Sequence, residues 1–241
     1  GKILINRAID IDVYFNHYQG VKWGNVDHLC YIAKHIFKRM NENIPFAEQF
    51  PNLQCHHIPL GIDLNAWDYK ERTTGYNIAW INHIWSGKNL PLAINLLKAL
   101  IDKTGSDKWK LWVVGDWSQE PWLHAYIKHL IVELKLTDNI IMQGKVPDIN
   151  QFLEDKDFLL CTSSKEAFSL IAAEAMCKGI KPVIHNWEGA KDIWRAEDIW
   201  TTIDEGIEII TGKYESEAYR EYVSRYDKKF ELESVDKLLT R

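Results

Sequence analysis

The chain has 241 residues, enough for one large domain or about one and a half domains of the usual ~150-residue size. Hydrophobic residues make up 46%, which supports a sizeable core, and a net charge of −5 supplies no basic field for nucleic acid. No uninterrupted apolar run reaches the ~18 residues needed to span a membrane, and Cys30, Cys55, Cys161 and Cys177 are scattered without paired spacing. The composition therefore predicts a soluble, cytoplasmic protein with reduced structural thiols.

In chain order, Lys2 to Ile5 alternates, a polar turn rich in Asp, Asn and His follows, and Val26 to Met40 reads as a strand leading into a basic helix. The chain starts without an initiator Met or a signal peptide, so a segment upstream is expected. From Asn77 onward strands and helices alternate. Strands are predicted at Asn77 to Asn82, Lys110 to Gly115, Asn139 to Gly144, Asp157 to Thr162, Lys181 to His185 and Ile199 to Ile203. Helices are predicted at Leu90 to Lys103, Glu120 to Leu136, Ile149 to Glu154, Ser169 to Lys178 and after Asp204. Such alternation predicts an α/β fold, a Rossmann-like parallel sheet with helices on both faces. Tyr214 to Arg241 is charged and helical. Of the eleven Trp, Trp80 and Trp112 fall in strands and read as core, whereas Trp85, Trp117 and Trp187 fall at strand exits, where stacking on a base or sugar is open.

The segment from Asp157 to Asn186 holds the strongest local signal. The apolar run Phe158 to Cys161 reads as a buried parallel strand, Thr162 to Ser164 breaks it, and a helix of small residues runs until Gly179. A turn at the carboxyl end of a parallel strand that opens a helix offers free backbone N–H groups to a ligand. Glu166 precedes that helix and Glu174 lies eight positions on. On the local pattern alone, the pair reads equally well as an early-turn acid and a solvated face residue.

The run Glu166-Ala-Phe-Ser-Leu-Ile-Ala-Ala-Glu174 resembles the Glu, seven residues, Glu signature of retaining GT-B glycosyltransferases, especially family 4. Other segments follow in the order that family would require. His57 to Asp63, HIPLGID, is similar to its interdomain turn, and Ile78 to Leu90, IAWINHIWSGKNL, resembles its first strand and Lys-bearing loop. Leu111 to Asp116 and Asn139 to Val146 resemble the next two strands, so that the likeness covers about residues 26–200.

The resemblance implies a GT-B C-terminal domain that holds a nucleotide-diphosphate sugar. Residues 1–46 would then be the remnant of an N-terminal acceptor domain and linker, 47–225 the donor domain and 226–241 a C-terminal helix crossing back, with the rest of the N-terminal domain missing. The implied reaction is transfer of a hexose with retention to a hydroxyl of a glycan, lipid or polysaccharide precursor, in the cytoplasm or at the inner membrane face. Lys88 and Glu166 are the implied catalytic residues. Lys88, beside Gly87, and the amides of Ser169 and Leu170 would hold the diphosphate without a metal, and no set of His residues forms a metal site. Glu166 would contact the donor sugar and Glu174 the ribose, with Phe168 in the same turn and the base near Lys145 and Val146.

One position departs from the pattern. The family usually has Arg at the first strand exit, whereas this chain has Asn82 followed by His83. The change removes a charge-assisted contact worth ~1.5–3 kcal/mol, to be compensated by His83, Lys165 or Lys191 or else paid in affinity. Two alternatives stand beside the transferase: a non-catalytic sugar-nucleotide-binding module, suggested by Asn82, and a nicotinamide-dependent oxidoreductase. The latter lacks a Gly-x-Gly-x-x-Gly after any strand, Gly115-Asp116-Trp117 being the nearest approach. His17 is a weak candidate for the acceptor side.

Overall fold

The computed structural model describes residues 2–9, 13–117 and 120–240. They fall into two compact units, one made of residues up to Leu64, Glu166–Leu170 and the chain from Tyr226 onward, the other of Asn65–Lys165 and Ile171–Arg225. Residues 47–64, grouped with the donor domain in the sequence reading, thus pack with the first unit.

In the second unit, unbroken apolar runs between turns become parallel strands: β4 (Asn77–Ile81), β5 (Lys110–Val114), β6 (Ile140–Gly144), β7 (Phe158–Cys161), β8 (Lys181–His185) and β9 (Ile199–Trp200). Their order is β6-β5-β4-β7-β8-β9, all neighbours parallel. All four residues of β7 are buried, as a central strand covered on both faces requires, whereas most of β6 at the edge is exposed. The expected α/β architecture, parallel strands flanked by helices, is what forms. Helix Leu90–Thr104 buries Leu90, Ala93, Ile94, Leu96, Leu97 and Leu100 against the sheet, a 3.6-residue periodicity, and stops at Gly105, whose φ is 64°. Helix Pro121–Glu133 ends three residues before the expected Leu136, because Lys135 turns left-handed at φ 57°. Helix Ile203–Thr211 opens with a reciprocal capping box between Thr202 and Glu205.

The first unit contains a three-stranded parallel sheet, β1 (Ile5–Ala8), β2 (His28–Tyr31) and β3 (Gln54–His57), in that order. β1 begins where the alternating segment Lys2 to Ile5 was expected to end, because pairing of Ile5 with His28 sets the register. β3 was not expected at all: Gln-Cys-His-His carries no apolar run, and three of its four residues are exposed. Helix Lys34–Asn43 buries His35, Ile36 and Met40.

The C-terminal segment is two helices, Ser216–Val223 and Lys228–Leu239, rather than one. Asp227 caps the second by accepting from the Lys229 amide at 3.0 Å. This helix packs within the first unit: the Glu231 carboxylate accepts from the Gly61 amide at 2.6 Å and pairs with Arg7, and Leu238 joins Cys30 and Ile58 in a small apolar cluster. All four cysteines are free, with Cys30, Cys161 and Cys177 buried and Cys55 exposed. Among the described residues no helix is long and apolar enough to cross a membrane.

Candidate functional site

Chain order reverses between β4 and β7, and in open α/β sheets a ligand crevice opens at the carboxyl ends of the strands at such a point. The loop after β4 carries Lys88 in a single 3-10 turn, Ser86–Lys88, followed by Asn89 in the left-handed region at φ 53°. Several contacts hold this turn, among them a bond from the Ser164 hydroxyl to the Gly87 carbonyl at 3.0 Å. The Ser86 amide and hydroxyl donate to the Glu120 carboxylate at 3.0 and 3.2 Å, and the Gly87 carbonyl accepts from the Ser164 amide at 2.9 Å. The Lys88 carbonyl accepts from the Thr162 hydroxyl at 2.9 Å, while Thr162 accepts from the indole N–H of Trp80 at 2.9 Å. The Lys88 loop is thus tied to the exit of β7 through Thr162 and Ser164, which sequence reading noted only as a strand break.

Gly87 is required by its neighbour, since a Cβ there would lie 2.3 Å from the Trp85 ring. The Lys165 ammonium lies 5.3 Å from the centroid of the same ring. Of the three cations offered in compensation for Asn82, Lys165 is therefore the one joined to the Lys88 loop. His83 is exposed and acts on Asp116, and exposed Lys191 acts on Glu205.

The exits of β4, β5 and β6 meet through backbone. The Asn82 amide donates to Val114 at 3.0 Å and the Gly115 amide to Gly144 at 2.9 Å. Gly115 has φ 145°, and a Cβ on it would stand 1.8 Å from the Asn82 carbonyl oxygen, so no other residue fits that crossing. The Asn82 side-chain amide makes no hydrogen bond among the described residues. Lys145 pairs with Asp116 at 2.7 Å across the ends of β6 and β5, and this bond holds the Asp116 carboxyl below its ordinary range. Val146 beside it is half-buried. Trp117 packs against His124 with the rings tilted by 32° and centroids 3.9 Å apart, Trp187 is buried, and Trp85 covers Gly87.

Glu174 sits in the helix Leu170–Cys177, partly buried, with no hydrogen-bond or ion-pair partner among the described residues. Burial pushes its carboxyl up to about 7. A carboxylate desolvated without donors is poised to accept them from a ligand.

The other half of the signature packs with the first unit. There the Glu166 carbonyl accepts a hydrogen bond from the His35 imidazole at 2.8 Å. Phe168 is buried, edge-on to Tyr226 at 4.9 Å. Ser169 is left-handed at φ 69°, a conformation that costs a non-glycine residue roughly 1–2 kcal/mol and marks functional turns. The helix starts at Leu170, one residue later than expected. Asn82, Gly87, Lys88, Lys145, Val146 and Glu174 thus lie in one unit, and Glu166, Phe168, Ser169 and Leu170 in the other. His17 is exposed in a 3-10 turn of the first unit. Among the described residues no three His, Cys, Asp or Glu side chains converge as metal ligands.

Residues 63–226 match the model of the family described as glycosyl transferases group 1, well over half of the 241 residues. No curated protein sequence gives a significant match. Among solved structures, HepE of Anabaena in complex with UDP and glucose superposes with a TM-score of 0.82 at 15% identity, over 100% of this chain and 72% of HepE. A TarM mutant of S. aureus in complex with fondaparinux, alpha-GlcNAc-glycerol and UDP gives 0.75 at 16% identity, over 94% of this chain and 46% of TarM. The pneumococcal O-GlcNAc transferase GtfA in complex with UDP and GlcNAc gives 0.69 at 13% identity, over 96% of this chain and 48% of GtfA. The chain thus spans less than half the length of TarM and GtfA, and at these identities the likeness is one of fold. The match over residues 63–226 establishes that the chain belongs to the glycosyl transferases group 1 family.

Proposed function

We propose that this chain supplies the donor-binding half of a retaining GT-B glycosyltransferase of family 4. It would transfer a hexose from a nucleotide-diphosphate sugar to a hydroxyl of an acceptor glycan, lipid or polysaccharide precursor. The observation that carries the reading is the clamped Lys88 turn beside the β4/β7 reversal together with the unpartnered Glu174 in the helix that follows β7. The C1–oxygen bond to the diphosphate breaks with its electron pair on the phosphate oxygen, a C1–oxygen bond to the acceptor forms, and the acceptor hydroxyl's proton passes to the departing phosphate. The group that most needs stabilising is the departing diphosphate. Lys88 and the first amides of the helix Leu170–Cys177, unsatisfied within the helix, supply positive potential there without a metal. Glu174 accepts from the ribose hydroxyls, Glu166 holds the hydroxyls of the transferred sugar, and the base packs near Lys145 and Val146. The acceptor-binding remainder belongs to an upstream α/β domain that the strands β1 to β3 would continue. HepE, TarM and GtfA were each solved with UDP, which makes UDP the first nucleotide to test.

A thermal-shift panel of UDP, GDP, ADP and dTDP on the wild type and on Glu174→Ala tests the reading. One nucleotide is expected to raise the melting temperature, and Glu174→Ala to abolish most of the shift. A shift that survives the substitution, or no shift with any nucleotide, refutes the site. Asn82 favours a second reading, a sugar-nucleotide-binding module without turnover. Hydrolysis of the nucleotide sugar by this chain joined to its upstream domain supports the enzyme; binding without hydrolysis supports the module.

A further inference from the structure

His35 is buried in the helix Lys34–Asn43, and its Nε2 lies 2.8 Å from the carbonyl oxygen of Glu166. A carbonyl oxygen only accepts, so Nε2 carries the proton and Nδ1 presents a lone pair. That Nδ1 is buried and meets no donor among the described residues. An imidazole with one of its two nitrogens unsatisfied is a poor core filler. An apolar side chain of similar shape would avoid the unsatisfied ring nitrogen, at the cost only of the bond to the Glu166 carbonyl. The ring is therefore explained by its one bond, and that bond ends on the main chain of a residue assigned to the donor sugar. It reaches across 131 positions of sequence to a segment of five residues, Glu166–Leu170, that packs with the first unit while its sequence neighbours on both sides belong to the second. Phe168 against Tyr226 is the second anchor, and left-handed Ser169 directly after it shows that the turn is held in a conformation it would not choose alone.

We propose that His35 is a positioning residue for the donor sugar: its Nε2–H fixes the main chain of Glu166 and so aims the Glu166 carboxylate at the sugar hydroxyls. The proposal rests on the reading of Glu166 as the sugar ligand. It separates His35 from residues that hold the nucleotide, because its loss affects only ligands that carry the sugar. Lengthening or losing one anchoring bond in a preorganised turn loosens the carboxylate by a fraction of an ångström, enough to weaken charge-assisted contacts to hydroxyls.

The test is calorimetric titration of the full chain with UDP and with UDP-glucose, for the wild type, His35→Met, His35→Gln, His35→Asn and Glu174→Ala. Met fills the space without a donor, Gln places an amide N–H near the Nε2 position, and Asn places it near Nδ1. His35→Met and His35→Asn are expected to weaken UDP-glucose by about 5- to 20-fold, as for loss of one well-placed hydrogen bond, and to leave UDP within about twofold. His35→Gln is expected to restore most of the loss. Equal weakening of both ligands, or of neither, overturns the role of His35, as does Gln behaving like Asn. If His35→Met does not fold, the Gln and Asn pair decides on the same criteria. Glu174→Ala is expected to weaken both ligands. If the wild type binds another nucleotide of the thermal-shift panel instead, that nucleotide and its glucose form replace UDP and UDP-glucose; if Glu174→Ala weakens neither ligand, or if the wild type binds none of the four nucleotides, the donor-site reading falls and the His35 proposal with it.

Discussion

At the scale of the residue, Glu174 makes the sharpest prediction. Burial raises its carboxyl to about 7; in the proposed site ribose hydroxyls would donate to the ionised form, so bound nucleotide would favour the charged state. Affinity is therefore full above the folded value and is lost as pH falls through it. The dissociation constant of the nucleotide is expected to rise about tenfold between pH 8 and pH 6, and the same titration of Glu174→Gln to be weak and flat. Asn82 offers the complementary gain. Its amide has no side-chain partner among the described residues, so Asn82→Arg adds a charge without breaking a bond and is expected to tighten diphosphate binding by about 5- to 50-fold at low salt, with a steeper salt dependence. No change would mean that Lys165, held over Trp85, already supplies the charge. Lys88 was named from sequence beside a glycine, and the two glutamates through the resemblance their eight-residue spacing carries, the local pattern alone leaving them undecided. The Lys145–Asp116 pair was not, because it joins the ends of two strands whose order the sequence does not state.

At the scale of the element, the chain from Trp80 through Thr162 to the Lys88 carbonyl couples two strands and one loop in a buried site. Thr162→Val keeps the shape but leaves the indole N–H and a carbonyl without partners. It is expected to cost ~1–3 kcal/mol in urea unfolding and to weaken diphosphate binding through the loosened loop, whereas Thr162→Ser retains both. Unfolding free energy equal to wild type for the Val variant would show that the chain carries no strain-bearing load. Strands β4, β5, β7 and β8 were legible as elements because buried parallel strands are unbroken apolar runs. The mostly exposed strand β3 was not, since its largely polar residues form a strand only by pairing with β2.

At the scale of the whole molecule, two desolvated carboxyls, partly buried Glu174 and buried Asp198, shape the response to pH. Asp198 lies 3.3 Å from Arg195, yet burial outweighs that attraction and lifts its carboxyl to about 7, as it does for Glu174. An acid with a raised folded value stabilises the fold fully below its unfolded value. That stability is lost as pH rises through about 7. Unfolding free energy is expected to decline between about pH 4 and pH 7 by a few kcal/mol in total and to level off above. The double variant Glu174→Gln with Asp198→Asn is expected to flatten the slope; an unchanged slope would show that other groups govern it.

The amino-acid sequence by itself determined the alternation of strands and helices, because apolar period and glycine are local properties, and its ordered motifs carried the resemblance that named the family and the candidate ligands. Tertiary structure alone decided which of those residues share a unit. Glu166 and Glu174 are eight positions apart on one continuous segment, yet one packs with the first unit and the other with the second. The contact that draws Glu166 away comes from His35, 131 positions distant, and a hydrogen bond over that separation leaves no periodicity in the sequence to be read.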